Sequence, residues 1–161
     1  MTDNGCWADD WSRVVVAEEG FTPENICRCR FKGDVRIGAG VTIKDVASFI
    51  ANYTIGDRVK IINVGIIETK GTSSFGNGSE VATINENGGR SIRIFDNLSV
   101  QAAYMCALYR HRPLVVENLN RMAEEHAAKV ASTMGTIERD AKVCDCKIIR
   151  NVRIGEAAEV M

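Results

Sequence analysis

Two histidines stand in this 161-residue chain, and their neighbours differ. His111 lies between Arg110 and Arg112 in the run YRHRP, residues 109–113. A histidine titrates near neutrality, so it can take a proton from a substrate hydroxyl or amine at pH 7. The flanking guanidiniums offer forked donors that match phosphate or pyrophosphate oxygens. The same run also reads as an exposed basic turn that caps helix ends. His126 sits on an apolar helical stripe, where packing and a hydrogen bond are its expected role. A second constellation lies in FGNGSEVATINENGGR, residues 75–90. Asn85, Glu86 and Arg90 place an amide, a carboxylate and a guanidinium in one short stretch, groups suited to sugar hydroxyls or an acidic ligand. Plain turn chemistry is the competing reading, since Asn-Gly favours tight turns.

The six cysteines fall as Cys6, Cys27/Cys29, Cys106 and Cys144/Cys146. In an extended strand a Cys-x-Cys pair sends both thiols to one face. Two such pairs could hold zinc as four thiolates, although structural zinc sites space paired cysteines by two to four residues. Free cysteines packed as small hydrophobes are the simpler expectation, and no metal is assigned.

Composition sets the frame for these residues. Hydrophobic residues make up 45% and charged residues 25%, with 20 basic against 21 acidic side chains and a formal charge of −1. That balance gives no reason to expect nucleic acid or an anionic membrane as partner. No apolar run reaches the roughly 18 residues of a membrane span. The first residues lack the basic and apolar regions of a signal peptide, so a cytoplasmic protein with reduced thiols is expected.

The element pattern has a period of six. Phe31, Ile37, Ile43, Phe49, Ile55, Ile61 and Ile67 recur at that step, which matches neither a helix nor simple strand alternation. The fifth residue of these blocks is often small or β-branched, as at Val41, Ala47, Val59 and Gly65, while Tyr53 is a bulky departure. After a slip the phase resumes in FGNGSE and VATINE, and again in IERDAK, VCDCKI and IGEAAE near the end.

This pattern resembles the hexapeptide repeat of left-handed parallel β-helix proteins, in which three blocks make one coil of a triangular prism. The resemblance covers residues 31–94 and 137–160. It implies a mainly β protein with the apolar first residues turned inward and phase breaks marking projecting loops. NE-x-GGR and YRHRP together also resemble a group of longer, uncharacterised bacterial hexapeptide-repeat proteins.

Between the two repeat stretches, residues 96–132 read as two helices. One spans about Leu98 to Tyr109, with Ala102, Ala103, Cys106 and Ala107 on a small-residue face. Pro113 then opens a second, whose stripe carries Val115, Leu119, Met122, His126 and Val130. Glu125 and Lys129 form an expected i,i+4 pair. The expectation is therefore one domain over 1–161: a lead-in at 1–30, β-helix coils at 31–95, a helical hairpin at 96–132, and resumed β-helix at 137–161.

Acyl-transferring hexapeptide enzymes use a loop histidine as general base, so the resemblance implies that role for His111. Arg110 and Arg112 would then contact phosphate, and Asn85, Glu86 and Arg90 the acceptor. The reaction implied is acyl transfer from acyl-CoA, a co-substrate rather than a resident cofactor, to a sugar or nucleotide-sugar. The alternative is a non-catalytic β-helix that assembles or binds ligand. Two histidines are too few for the related γ-type carbonic anhydrases, which need three metal ligands. The resemblance also implies a homotrimer, with Ile50, Ile62 and Ile66 read as outward apolar positions. A hexad sequence that stops at Met161 without a cap predicts a fragment of a longer protein, or an end covered by another subunit.

Overall fold

Apolar residues six apart in the sequence become columns in space. In the computed structural model, which describes residues 1–83 and 90–161, the chain divides into two compact units. The first comprises Met1–Ser73 and Thr133–Met161; the second is Ser74–Ser132.

The first unit is an 11-stranded sheet whose pairings are all parallel among the described residues. Its early strands are β1 (Trp7–Ala8), β2 (Val14–Val16), β3 (Ile26–Cys27), β4 (Arg30–Ile37), β5 (Thr42–Ile55) and β6 (Lys60–Glu68). Contacting residues in successive passes stand 17 or 18 positions apart, about three hexads. Ile43 pairs with Ile26 and Ile61, and Ile61 with Val143. Ile50 pairs with Phe31 and Ile67, and Ile67 with Ile149. Ile55 pairs with Ile37 and Ile137, and Ile137 with Ile154. All twelve are buried. Withdrawing each isoleucine from water stabilises the fold by about 1.5–3 kcal/mol.

Bends, both between strands and within the long β5 and β6, fall on recurring left-handed residues. Arg28, Asp45, Asn63 and Asp145 form one set; Asn52 and Asn151 a second; Arg58, Asp140 and Ala157 a third. Asp and Asn accept this conformation more readily than other side chains because they bond to nearby backbone. Asn52 does so across passes, accepting from the Asp34 amide at 3.2 Å and donating to the Thr69 carbonyl at 3.1 Å.

Several expectations shift. The lead-in is not separate: β1 and β2 pair with β4, and β3 pairs with β5. A register irregularity between Val46 and Phe49 hands the core position to Ile50, which is fully buried and so cannot be an outward apolar residue. Phe49 is half-buried beneath the Lys32 ammonium, 4.4 Å from its ring centre. Val46 replaces Ala47 in the interior for the same reason. FGNGSE and VATINE do not continue the sheet; within their described part only β7 (Glu80–Ala82) is strand, and it pairs antiparallel with β8 (Ser91–Arg93).

After the second unit the parallel sheet resumes in β9 (Gly135–Ile137), β10 (Lys142–Cys144), β11 (Ile148–Arg150), β12 (Arg153–Ile154) and β13 (Glu159–Val160). Tyr53, the bulky fifth-position residue, is completely buried. Its hydroxyl donates to the Val152 carbonyl at 2.7 Å and accepts from the Val152 amide at 3.2 Å. Gly135 lies opposite it, and a Cβ there would stand 2.6 Å from Tyr53 Cε1, so the ring occupies the space glycine leaves. No helix among the described residues is long and apolar enough to cross a membrane.

Candidate functional site

The second unit places its polar side chains with two helices and the β7–β8 hairpin. Helix α1 (Val100–Leu108) starts at Ser99, whose hydroxyl accepts from the Ala102 amide at 3.1 Å. Helix α2 (Pro113–Val130) begins with proline, whose missing N–H costs nothing in the first turn. Ile92, Cys106 and Ala107 form a small core, with Leu98, Ala103 and Leu119 against it. The small-residue face expected of the first helix is thus its packing face. On α2, Val116 and Ala123 are buried, whereas Met122 is half exposed. The predicted stripe is rotated by about one residue. Glu125 pairs with Arg121, four residues before it, at 3.6 Å.

That rotation leaves Met122 and His126 beside a groove of about 500 Å³ within this unit. Phe95, Ala102, Leu119 and Met122 supply apolar wall, and Asn97, Ser99, Glu125, His126 and Lys129 supply polar groups. His126 Nε2 stands 3.5 Å from Asp96 Oδ2, and its ring centre lies 5.6 Å from that of Phe95. Asp96 is itself fixed. Its amide donates to Asn77 Oδ1 at 2.8 Å, and Asn77 Nδ2 reaches both Asp96 Oδ2 at 3.3 Å and the Ser74 carbonyl at 2.9 Å. Asn77 is buried, so these bonds hold an otherwise costly amide. The result is an imidazole that meets a positioned carboxylate at one nitrogen, on the wall of the groove. Such a pair suits proton transfer, and apo separations of this kind shorten when substrate binds.

The sequence-predicted residues are placed differently. His111 is exposed in the turn between the helices, its ring stacked on Tyr109 at 5.5 Å, and does not line this groove. Arg112 is exposed at the start of α2 without a side-chain cap bond. Arg110 donates to the Ser91 carbonyl and, with Glu80, Ser91, Arg93 and Asn120, lines a smaller polar pocket of about 190 Å³. Arg90 is exposed, and its carbonyl accepts from Thr83 Oγ1 at 2.7 Å. Asn85 and Glu86 lie outside the described residues. Asp96 belongs to no local motif, because it meets His126 across 30 positions. One signal could have found it: Asp96 is the only acidic residue between Glu86 and Glu117.

The cysteine pairs straddle turns. Arg28 and Asp145 have left-handed backbone, so each pair's thiols do not share one strand face. Cys29 is buried while Cys27 is half-buried and donates to the Glu24 carbonyl at 3.2 Å. No group of three or more metal-ligating side chains occurs among the described residues.

Residues 34–161 match the model of a domain of unknown function, DUF4954, over well more than half of the chain. The chain belongs to this family. A relative of the DUF4954 chain, an uncharacterized protein of Treponema pallidum (strain Nichols), is 24% identical over 199 residues, an alignment covering 99% of this chain. The chain spans only 27% of that relative's length. No solved structure matches it.

Proposed function

We propose that the DUF4954 chain is a left-handed parallel β-helix carrying a transferase site, with His126 as general base for acyl transfer from acyl-CoA to a sugar or nucleotide-sugar. The left-handed sense is supported by the hexad phase, the return after 17 or 18 residues and the recurring left-handed turn residues. The observation that carries the catalytic reading is the His126–Asp96 pair on the wall of a groove of about 500 Å³, large enough for a small molecule.

In this reading the imidazole nitrogen that does not face Asp96 takes the proton of the acceptor hydroxyl or amine as that atom attacks the thioester carbonyl. The carbon–sulfur bond breaks, and the imidazolium returns the proton to the departing thiolate. Asp96 stabilises the imidazolium and fixes its orientation, while Lys129 at the groove supplies a cation for phosphate. Self-association as a trimer fits the outward Ile62 and Ile148, both substantially exposed. Light scattering would read a trimer mass, and a monomer at all concentrations would contradict it.

The catalytic proposal is tested by incubating the full chain with acetyl-CoA and a panel of nucleotide-sugars, with acetylated product and free CoA followed by mass spectrometry. Mass detection avoids the background that six cysteines give to thiol reagents. Product with Asp96→Asn turnover reduced at least tenfold supports the reading. Nucleotide-sugar binding with no product across the panel points instead to a ligand-binding module.

A further inference from the structure

Cys6 and Cys29 stand apart from the other thiols. Their sulfurs are 3.3 Å apart, and both are buried in the core of the first unit. Cys6 precedes Trp7 and Cys29 precedes Arg30, and those two are register partners of the parallel β1–β4 pair. The Trp7 amide donates to the Cys29 carbonyl at 3.0 Å, which clamps the two backbones at this point. Neighbours in adjacent strands fall within the Cα separation a disulfide requires, and a sulfur approach of a little over 1 Å reaches bonding distance, about 2.05 Å.

We infer that Cys6 and Cys29 are a redox modification site: a low-molecular-weight disulfide, such as oxidised glutathione, converts them to an intramolecular cystine. The Cys6 thiolate attacks one sulfur of the oxidant and expels a glutathione thiolate, leaving a mixed disulfide on Cys6. The Cys29 sulfur, after losing its proton to solvent, attacks the Cys6 sulfur and expels the second glutathione. Two protein S–H bonds are lost, one S–S bond forms, and the oxidant is reduced to two thiols. Burial pushes the Cys29 thiol up, with the Cys6 hydrogen bond adding to the effect. Exchange therefore requires local opening of Met1–Cys6, which is held to the rest by bonds such as Arg28 amide to Asn4 carbonyl at 2.9 Å. Once formed, the bond ties positions 23 apart and fastens β1 to the sheet. This inference stands independently of the transferase reading.

The test treats the full chain with oxidised glutathione, alkylates remaining thiols in denaturant and digests with trypsin. Cleavage after Arg13, Arg28 and Arg30 separates Cys27 from Cys29, so the linked partner is unambiguous. Expected are an intact mass lower by about 2 Da, the segment 1–13 linked to Cys29–Arg30, and a thermal midpoint raised by roughly 5–10 °C and reversed by dithiothreitol. Cys6→Ser and Cys29→Ser should each abolish the linkage. If either variant fails to fold, the peptide map of the unmodified sequence still decides. Linkage to Cys27, a persistent glutathione adduct on Cys6, or full alkylation of Cys6 and Cys29 after oxidation would overturn the inference.

Discussion

Tyr53 and Gly135 show how a single residue sets the packing of a distant one. The Tyr53 hydroxyl satisfies both backbone groups of Val152, so Tyr53→Phe leaves an amide and a carbonyl without their partner. The expected cost is about 1–3 kcal/mol, read from urea unfolding. Gly135→Ala forces a methyl against the ring and should cost about 1–3 kcal/mol as overpacking. The same change in a Tyr53→Leu background should cost less, and equal costs would contradict the assigned contact. In the sequence Tyr53 is visible only as an exception to the hexad. Its explanation lies in residues that the chain brings back from far downstream. His126 is a similar case: its place on an apolar stripe is legible, but the Asp96 carboxylate it meets arrives from outside the helix.

At the scale of elements, the hexad made the stacked strands legible wherever one block equals one strand and one turn. It failed where a register irregularity shifts the phase, so that Ile50 rather than Phe49 turns inward. It also over-extends into residues 75–83, where the chain leaves the parallel sheet for a turn and the short strand Glu80–Ala82, paired antiparallel with Ser91–Arg93. The turns carry ion pairs between passes. Arg13 with Asp34, Arg28 with Asp45, Arg58 with Asp140, and Lys142 with Glu159 each hold the carboxyl below its ordinary range, chiefly by a side-chain hydrogen bond. A carboxyl depressed in the folded state stabilises it above the unfolded value, about 4. That stability is lost as pH falls through the folded value. The thermal midpoint should therefore be flat from pH 7 to about 5 and fall below about 4. Because these pairs are exposed, the acid-dependent drop should shrink in high salt. Asp45→Asn combined with Asp140→Asn should also flatten it, and an unchanged acid profile would contradict the assignment.

For the molecule as a whole, the groove lined by His126 lies in the Ser74–Ser132 unit, while the repeat sequence specifies the sheet unit. The repeat pattern says much about strands and little about the hairpin site, since no periodicity links Asp96 to His126. The DUF4954 match locates the chain in a family without naming a reaction. The measurement that bears most directly on the account is a comparison of His126→Ala and His111→Ala in the acetyl-CoA transfer assay, with folding checked by circular dichroism. His126→Ala should lower kcat by about 10²–10⁴-fold, while His111→Ala, altering an exposed ring outside the groove, should stay within a few-fold of the unmodified protein. The reverse order would contradict the account and assign the base to His111.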